Sequence, residues 1–165
     1  MPGEIYHYLA DDHMRLDALL ERAASHSDGI EPSAYAEFRA GLLKHISMEE
    51  KILLPAAQRL RGGEPLPIAA KLRLDHGALA ALLVPTPTPS IVTAIRTILK
   101  AHNPIEEGPG GLYEQCEALA SAETDQVLNA LRNAAQVRVA PHINAPNVIE
   151  ATRRALAKAG YDLEV

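Results

Sequence analysis

The chain has little of what several protein classes need. Its one cysteine, Cys116, excludes an internal disulfide and a cysteine-rich zinc site. Aromatic residues make up only 4% of the 165 residues, so side chains enriched in β-sheets are scarce. Lys and Arg are nowhere concentrated, and 16 basic against 21 acidic residues leave a net charge of −5. That balance disfavours a nucleic-acid partner. No window of 18 apolar residues occurs, so no membrane span is expected. The opening Met1-Pro2-Gly3-Glu4 carries no basic segment, and Asp11 and Asp12 interrupt any apolar run. No secretory signal is expected, and the expected location is cytoplasmic. There is neither a repeat nor strand-like alternation.

What is present is helix-forming. The chain has 28 Ala and 22 Leu, the strongest helix formers, and its length fits one ordinary domain with a real core. Breakers divide it at Ser27-Asp28-Gly29, at Arg61-Gly62-Gly63 with Pro65 and Pro67, at Pro85-Thr86-Pro87-Thr88-Pro89, at Gly108-Pro109-Gly110-Gly111, and at Pro141 to Pro146. Between them, apolar residues spaced by three and four predict amphipathic helices.

The first helix is expected over about 4–26, with the stripe Leu9, His13, Leu16, Leu20, Ala23. The second is expected from Pro32 to about Leu60, with Phe38, Leu42, His45, Glu49, Ile52 and Ala56 on one face and a bend at Pro55. The third, over about 67–84, carries Leu72, His76, Leu79 and Leu83; the fourth, from Pro89, carries Ile95, Leu99, His102 and Glu106. Two further helices are expected, from Glu123 to about Val139 and from Asn147 to Ala159, the latter capped by Gly160.

Each of the first four stripes places a histidine in an apolar face. A buried imidazole without a partner costs about 1–3 kcal/mol or more, so four of them need partners. Their spacing is informative. In an antiparallel hairpin, residues at one height are equidistant from the turn. The midpoint of 13 and 45 is Gly29, that of 45 and 76 falls beside Gly62-Gly63, and that of 76 and 102 is Pro89. All three lie on or next to breakers that the glycine and proline positions fix independently of the histidines. The expected fold is therefore an all-α, up-down-up-down four-helix bundle with His13, His45, His76 and His102 at one inward level. One or two extra C-terminal helices follow. Residues 1–120 form the bundle, and residues 121–165 a helical extension packed on it.

Two helices add a carboxylate one turn after the histidine, in His45-x-x-x-Glu49 and His102-x-x-x-Glu106. Helices two and four run the same way, so Glu49 and Glu106 are displaced together and meet in the middle. Two bare carboxylates there would repel and take up protons; a cation removes the problem. Four imidazoles and two carboxylates suit iron, manganese or zinc, and exceed what one tetrahedral zinc uses. Two metal ions sharing both carboxylates is the economical solution.

These residues resemble the hemerythrin family, specifically its bacterial hemerythrin-like, HHE cation-binding domains. The resemblance rests on Asp12-His13 with Leu16, Leu19 and Leu20; on His45-x-x-x-Glu49-Glu50 running to Pro55; on Asp75-His76 with Leu79 and Leu82; and on His102-x-x-x-Glu106-Glu107 followed by Leu112-Tyr113. It spans roughly residues 5–120. It implies a four-helix bundle around a non-haem centre of two iron ions, with zinc or manganese as substitutes. Glu49 and Glu106 are then the bridges, with His13 and His45 on one iron and His76 and His102 on the other.

Oxygen-carrying members have five histidines, two of them on the third helix; here Leu72, Arg73, Leu79 and Ala80 surround His76. Tyr113, Glu50, Glu107, His7 or water are left to fill the gap. The glycine run after Glu107 breaks the fourth helix near the metals, and Pro104 removes one helical hydrogen bond between His102 and Glu106. The resemblance implies binding or sensing of O2 or a related small ligand (NO or peroxide), or iron handling, by a monomer or homodimer. The alternatives are a diiron oxidase that scavenges peroxide or NO, and a metal-free helical interaction module. Glu50 and Glu107 otherwise read as a solvated face. His7, His26 and His142 read as lying off the site, and Cys116 as a small core residue.

Overall fold

The computed structural model describes residues 2–165; Met1, the first residue of the expected 1–120 unit, lies outside them. Among the described residues all regular structure is helical, with no strand. No helix there is long and apolar enough to cross a membrane.

Helix α1 (Glu4–Ala24) buries Ile5, Leu9, His13, Leu16, Leu20 and Ala23 at steps of three and four. Helix α2 (Pro32–Met48) starts on Pro32, and the Glu31 carboxylate accepts from the Ser33 and Ala34 amides at 3.0 and 2.6 Å. The expected bend at Pro55 takes another form. Residues Glu49–Leu53 make a π-helical turn, in which the Leu54 amide donates to the Glu49 carbonyl five residues back, and α3 (Leu54–Leu60) follows. Pro55 has no N–H to give the preceding turn. That freed carbonyl lets the helix widen, a distortion that recurs at functional sites. Successive side chains lie closer in angle in the wider turn, and it carries Glu49 and Glu50 side by side.

Helix α4 (Ala69–Leu82) and helix α5 (Pro89–Glu107) are shorter than or close to their expected spans. The Thr88 hydroxyl caps α5 by accepting from the Ile91 amide at 3.2 Å. Pro104 sits inside α5, yet the helix continues past it to Glu107 and stops at Gly108. The chain then reverses tightly. At Gly111 a Cβ would stand 2.6–2.8 Å from the carbonyl oxygens of Glu106, Ile105 and Gly108, so only glycine lets the turn close. This turn lays α6 (Leu112–Ala120) back against α5 and α1.

Helix α7 (Thr124–Arg132) ends seven residues before the expected Val139. Its apolar stripe finishes at the buried Leu131; beyond it Val137 and Val139 are half-buried in alternation with exposed neighbours. That period of two suits extended chain, not helix. The extended stretch is tied back at Ile143, whose amide donates to the Val84 carbonyl at 3.1 Å, and at Asn144, paired with Thr86. Helix α8 (Pro146–Ala159) packs on α4 and ends at Gly160, in the left-handed region at φ +91°.

Two hydrophobic clusters result, with a polar layer between them. One gathers Leu16, Leu20, Phe38, Leu42, Leu79, Leu82, Ile95, Ile98 and Leu156. The other gathers Ile5, Leu9, Leu53, Leu72, Leu112, Tyr113, Leu128 and Leu131. Two glycines give opposite expectations. Gly111→Ala lowers stability by about 1–3 kcal/mol through overpacking. Gly77→Ala, in an exposed helical position with nothing near its Cβ, raises it by up to about 1 kcal/mol. Urea denaturation midpoints of the two variants check both signs.

Candidate metal centre

The polar layer is built from four helices. His13 on α1, His45 on α2, His76 on α4 and His102 on α5 are all buried, and Glu49 and Glu106 between them are fully so. Every Nε2 faces a carboxylate oxygen. His13 lies 3.2 Å from Glu106 Oε2, and His45 3.1 Å from Glu49 Oε1. His76 lies 3.1 Å from Glu49 Oε2 and 3.3 Å from Glu106 Oε1, and His102 2.7 Å from that same Glu106 oxygen. Each carboxylate thus turns one oxygen toward His13 and His45 and the other toward His76 and His102.

Two sets of four donors follow: His13, His45, Glu49 and Glu106, and Glu49, His76, His102 and Glu106. Within each, the donor atoms lie within 4.8 Å of one another. These buried groups can hold a metal ion. One atom asks for such a partner. Glu49 Oε2 is buried without a hydrogen bond, because His76 approaches it at an angle that makes none. An anionic oxygen left bare in a protein interior is costly, and a cation between the two sets satisfies it.

A second shell of acids fixes the rings. His13 Nδ1 pairs with Glu107 at 3.0 Å, His45 Nδ1 with Asp12 at 2.8 Å, His76 Nδ1 with Glu50 at 2.8 Å, and His102 Nδ1 with Asp75 at 3.1 Å. An ionised carboxylate only accepts, so each Nδ1 donates. The Nε2 lone pair of the neutral ring is then free and aimed inward, the arrangement that metal-binding histidines use. Three of the acids are held in turn by cations: Asp12 by Arg15 at 2.8 Å, Asp75 by Lys71 at 2.6 Å, and Glu50 by Arg73 at 3.3 Å.

Glu50 and Glu107 are therefore not a solvated face, as the sequence reading had them. Each is half-buried and committed to a histidine on the next helix. Asp12 and Asp75 also have roles that sequence reasoning missed. The signal was available: an acid stands next to one inward residue of every site helix, at 12–13, 49–50, 75–76 and 106–107. His7, His26 and His142 are exposed and lie away from the layer. Cys116 is buried on α6. Of the side chains Tyr113, Glu50, Glu107 and His7, Tyr113 is the one that reaches the centre. Its hydroxyl donates to Glu49 at 2.7 Å and lies within 3.3 Å of Glu106, with His13 and His45 Nε2 at 3.1 and 3.2 Å.

The electrostatics are those of a site short of positive charge. Burial alone would depress the imidazoles. The carboxylates outweigh it and push His102 up to about 9, His45 to about 10 and His76 to about 11. Burial would raise Glu106, but hydrogen bonds from His102, His13 and His76 hold it well below the usual carboxylate range. Without a metal, protons on the histidines balance the acids.

In comparisons with known proteins, no family model, no curated protein and no solved structure matches the chain.

The raised histidines set a pH dependence for metal-free protein. Their stabilisation is fully present below the unfolded value of about 6.5, declines as pH rises, and is gone above the folded values of about 9, 10 and 11. The denaturation midpoint of metal-free protein should fall continuously from about pH 7 to pH 10. A level midpoint over that range contradicts the charge balance described.

Proposed function

We propose that this chain is a hemerythrin-like protein. His13, His45, His76, His102, Glu49 and Glu106 hold two iron ions, and the centre binds or senses O2 or a related small ligand. The observation that carries this reading is the orientation of the donors. All four Nε2 atoms point at two shared carboxylates, and all four Nδ1 atoms are locked from behind by acids. A layer of separately satisfied core histidines has no reason to turn four Nε2 atoms toward the same two carboxylates.

The bundle topology is part of the proposal. Residues before His13, after His45, before His76 and after His102 share one hydrophobic cluster, which supports alternating helix directions. The donor chemistry supports iron over soft, thiophilic ions, and six shared donors exceed a single tetrahedral zinc site. When bound, a pair of iron ions supplies electron exchange and positions for an exogenous ligand. The residues do the rest. The imidazoles would bind the ions, Glu49 and Glu106, common to both donor sets, would be shared between them and neutralise their charge, and Asp12, Glu50, Asp75 and Glu107 hold the rings. The two hydrophobic clusters flank the layer on both sides.

Elemental analysis of anaerobically purified protein should find near two irons per chain, and exposure to air should produce new absorption in the near-ultraviolet and visible. Iron should stabilise the fold by about 2.7 kcal/mol at a hundredfold excess over its Kd, an effect absent from the double variant His45→Ala, Glu49→Ala. Protein that takes up no ferrous iron sinks the reading and leaves the interaction-module alternative. A subtler change probes the acids behind the histidines. Asp75→Asn should keep the iron stoichiometry and weaken affinity by roughly 10–100-fold, read by competition with a chelator.

A further inference from the structure

Tyr113 does not belong to any of the four histidine-bearing helices, yet its hydroxyl sits among the donors of one half of the site. It lies 2.7 Å from Glu49 Oε1, 3.1 Å from His13 Nε2, 3.2 Å from His45 Nε2 and 3.3 Å from Glu106 Oε2. Those four residues are one of the two donor sets. A phenol has one proton to give and two lone pairs, so it satisfies at most about three hydrogen bonds. Four neighbours are one too many for a phenol that only hydrogen-bonds.

The distances fit a different role. Donors bound at about 2.0–2.2 Å to one metal, at right angles to each other, stand about 3 Å apart. In an octahedral arrangement each donor has four such neighbours. The Tyr113 oxygen has four neighbours at 2.7–3.3 Å, so it occupies a donor position and not the ion's own. The surroundings are built to hold it there. Gly111 lets the chain turn sharply enough to bring α6 in, and the Tyr113 ring is fully buried. Tyr6 packs edge-on against it, with centroids 6.1 Å apart, and is itself tied to the Glu107 carbonyl at 2.9 Å.

We propose that Tyr113 is a metal ligand, binding as the phenolate in the half held by His13 and His45. This rests on the two-iron reading above. It gives that half five protein donors, two nitrogens and three oxygens. The half held by His76 and His102 has only the four of its own set. The two positions are then chemically distinct, one with five protein donors and the other with four.

Phenolate bound to ferric iron has a charge-transfer band in the visible and resonance-enhanced tyrosine ring vibrations in the Raman spectrum. Air-oxidised, iron-loaded protein should show both, and ring-deuterated tyrosine should shift the vibrations. Tyr113→Phe, which keeps the ring and removes the oxygen, should lose both signals while retaining near two irons per chain. Tyr6→Phe should keep them. Two irons per chain without tyrosine vibrations overturns the ligand assignment and leaves the metal centre standing, as does a band that survives in Tyr113→Phe. Failure to take up any iron overturns the underlying reading and this one with it. If Tyr113→Phe does not fold, the Raman spectrum of unsubstituted protein still tests the assignment, because of the chain's five tyrosines Tyr113 is the one whose hydroxyl lies among the donors: absent tyrosine vibrations overturn it.

Discussion

Four carboxylate–histidine pairs close into a ring, and the site depends on that closure. Asp12 of α1 holds His45 of α2, and Glu50, just after α2, holds His76 of α4. Asp75 of α4 holds His102 of α5, and Glu107 of α5 holds His13 of α1. Every site helix lends an acid to the next and receives one from the previous. No ring can turn without breaking a charge-assisted bond to a neighbouring helix, so the positions of four helices and the aim of four lone pairs become one constraint.

The ring also explains an asymmetry in the sequence. On α1 and α4 the acid precedes the histidine; after α2 and on α5 it follows the inward glutamate. Adjacent residues on an α-helix point about 100° apart, so a neighbour of an inward residue points sideways. Reversing the chain direction reverses the sense of that rotation. An acid one place before on an ascending helix and one place after on a descending helix therefore turn the same way around the axis. The before-after-before-after order is the one that alternating helix directions need for a closed ring. It is an argument for the proposed topology independent of the hydrophobic clusters.

Much of this was legible in the sequence, because the strongest signals there are periodic. Leu and Ile at steps of three and four mark the stripes of α1, α2, α4 and α5, and the turn residues fix the heights of His13, His45, His76 and His102. The structure brings those four together with Glu49 and Glu106. What was not legible depends on contacts between helices. Glu50 and Glu107 look like ordinary solvated acids until the neighbouring histidine is in place. The π-helical turn at Glu49–Leu53 has only Pro55 as its local signal, and proline alone does not distinguish a bend from a widened turn. Arg132 ends α7 because burial stops at Leu131, a fact of packing. Tyr113 reaches the centre through a reversal at Gly108–Gly111 whose tightness is set by carbonyl groups of α5 and of the turn itself.

The C-terminal helix is also less separate from the site than its sequence suggests. Lys71 donates to Asp75 at 2.6 Å and to the Ala159 carbonyl at 3.0 Å, and its ammonium lies 4.7 Å from the centre of the Tyr161 ring. Ala159 is the last residue of α8, where carbonyl groups lack helical partners and favour a cation. The left-handed Gly160 then turns the chain so that Tyr161 covers the same ammonium. One lysine thus satisfies the end of α8 and fixes the acid that aims His102. The contact runs from a helix outside the histidine layer to a donor within it, through three residues. Helix α8 covers α4 with Leu156 and Thr152, and through Lys71 it also sets the charge behind one of the four imidazoles.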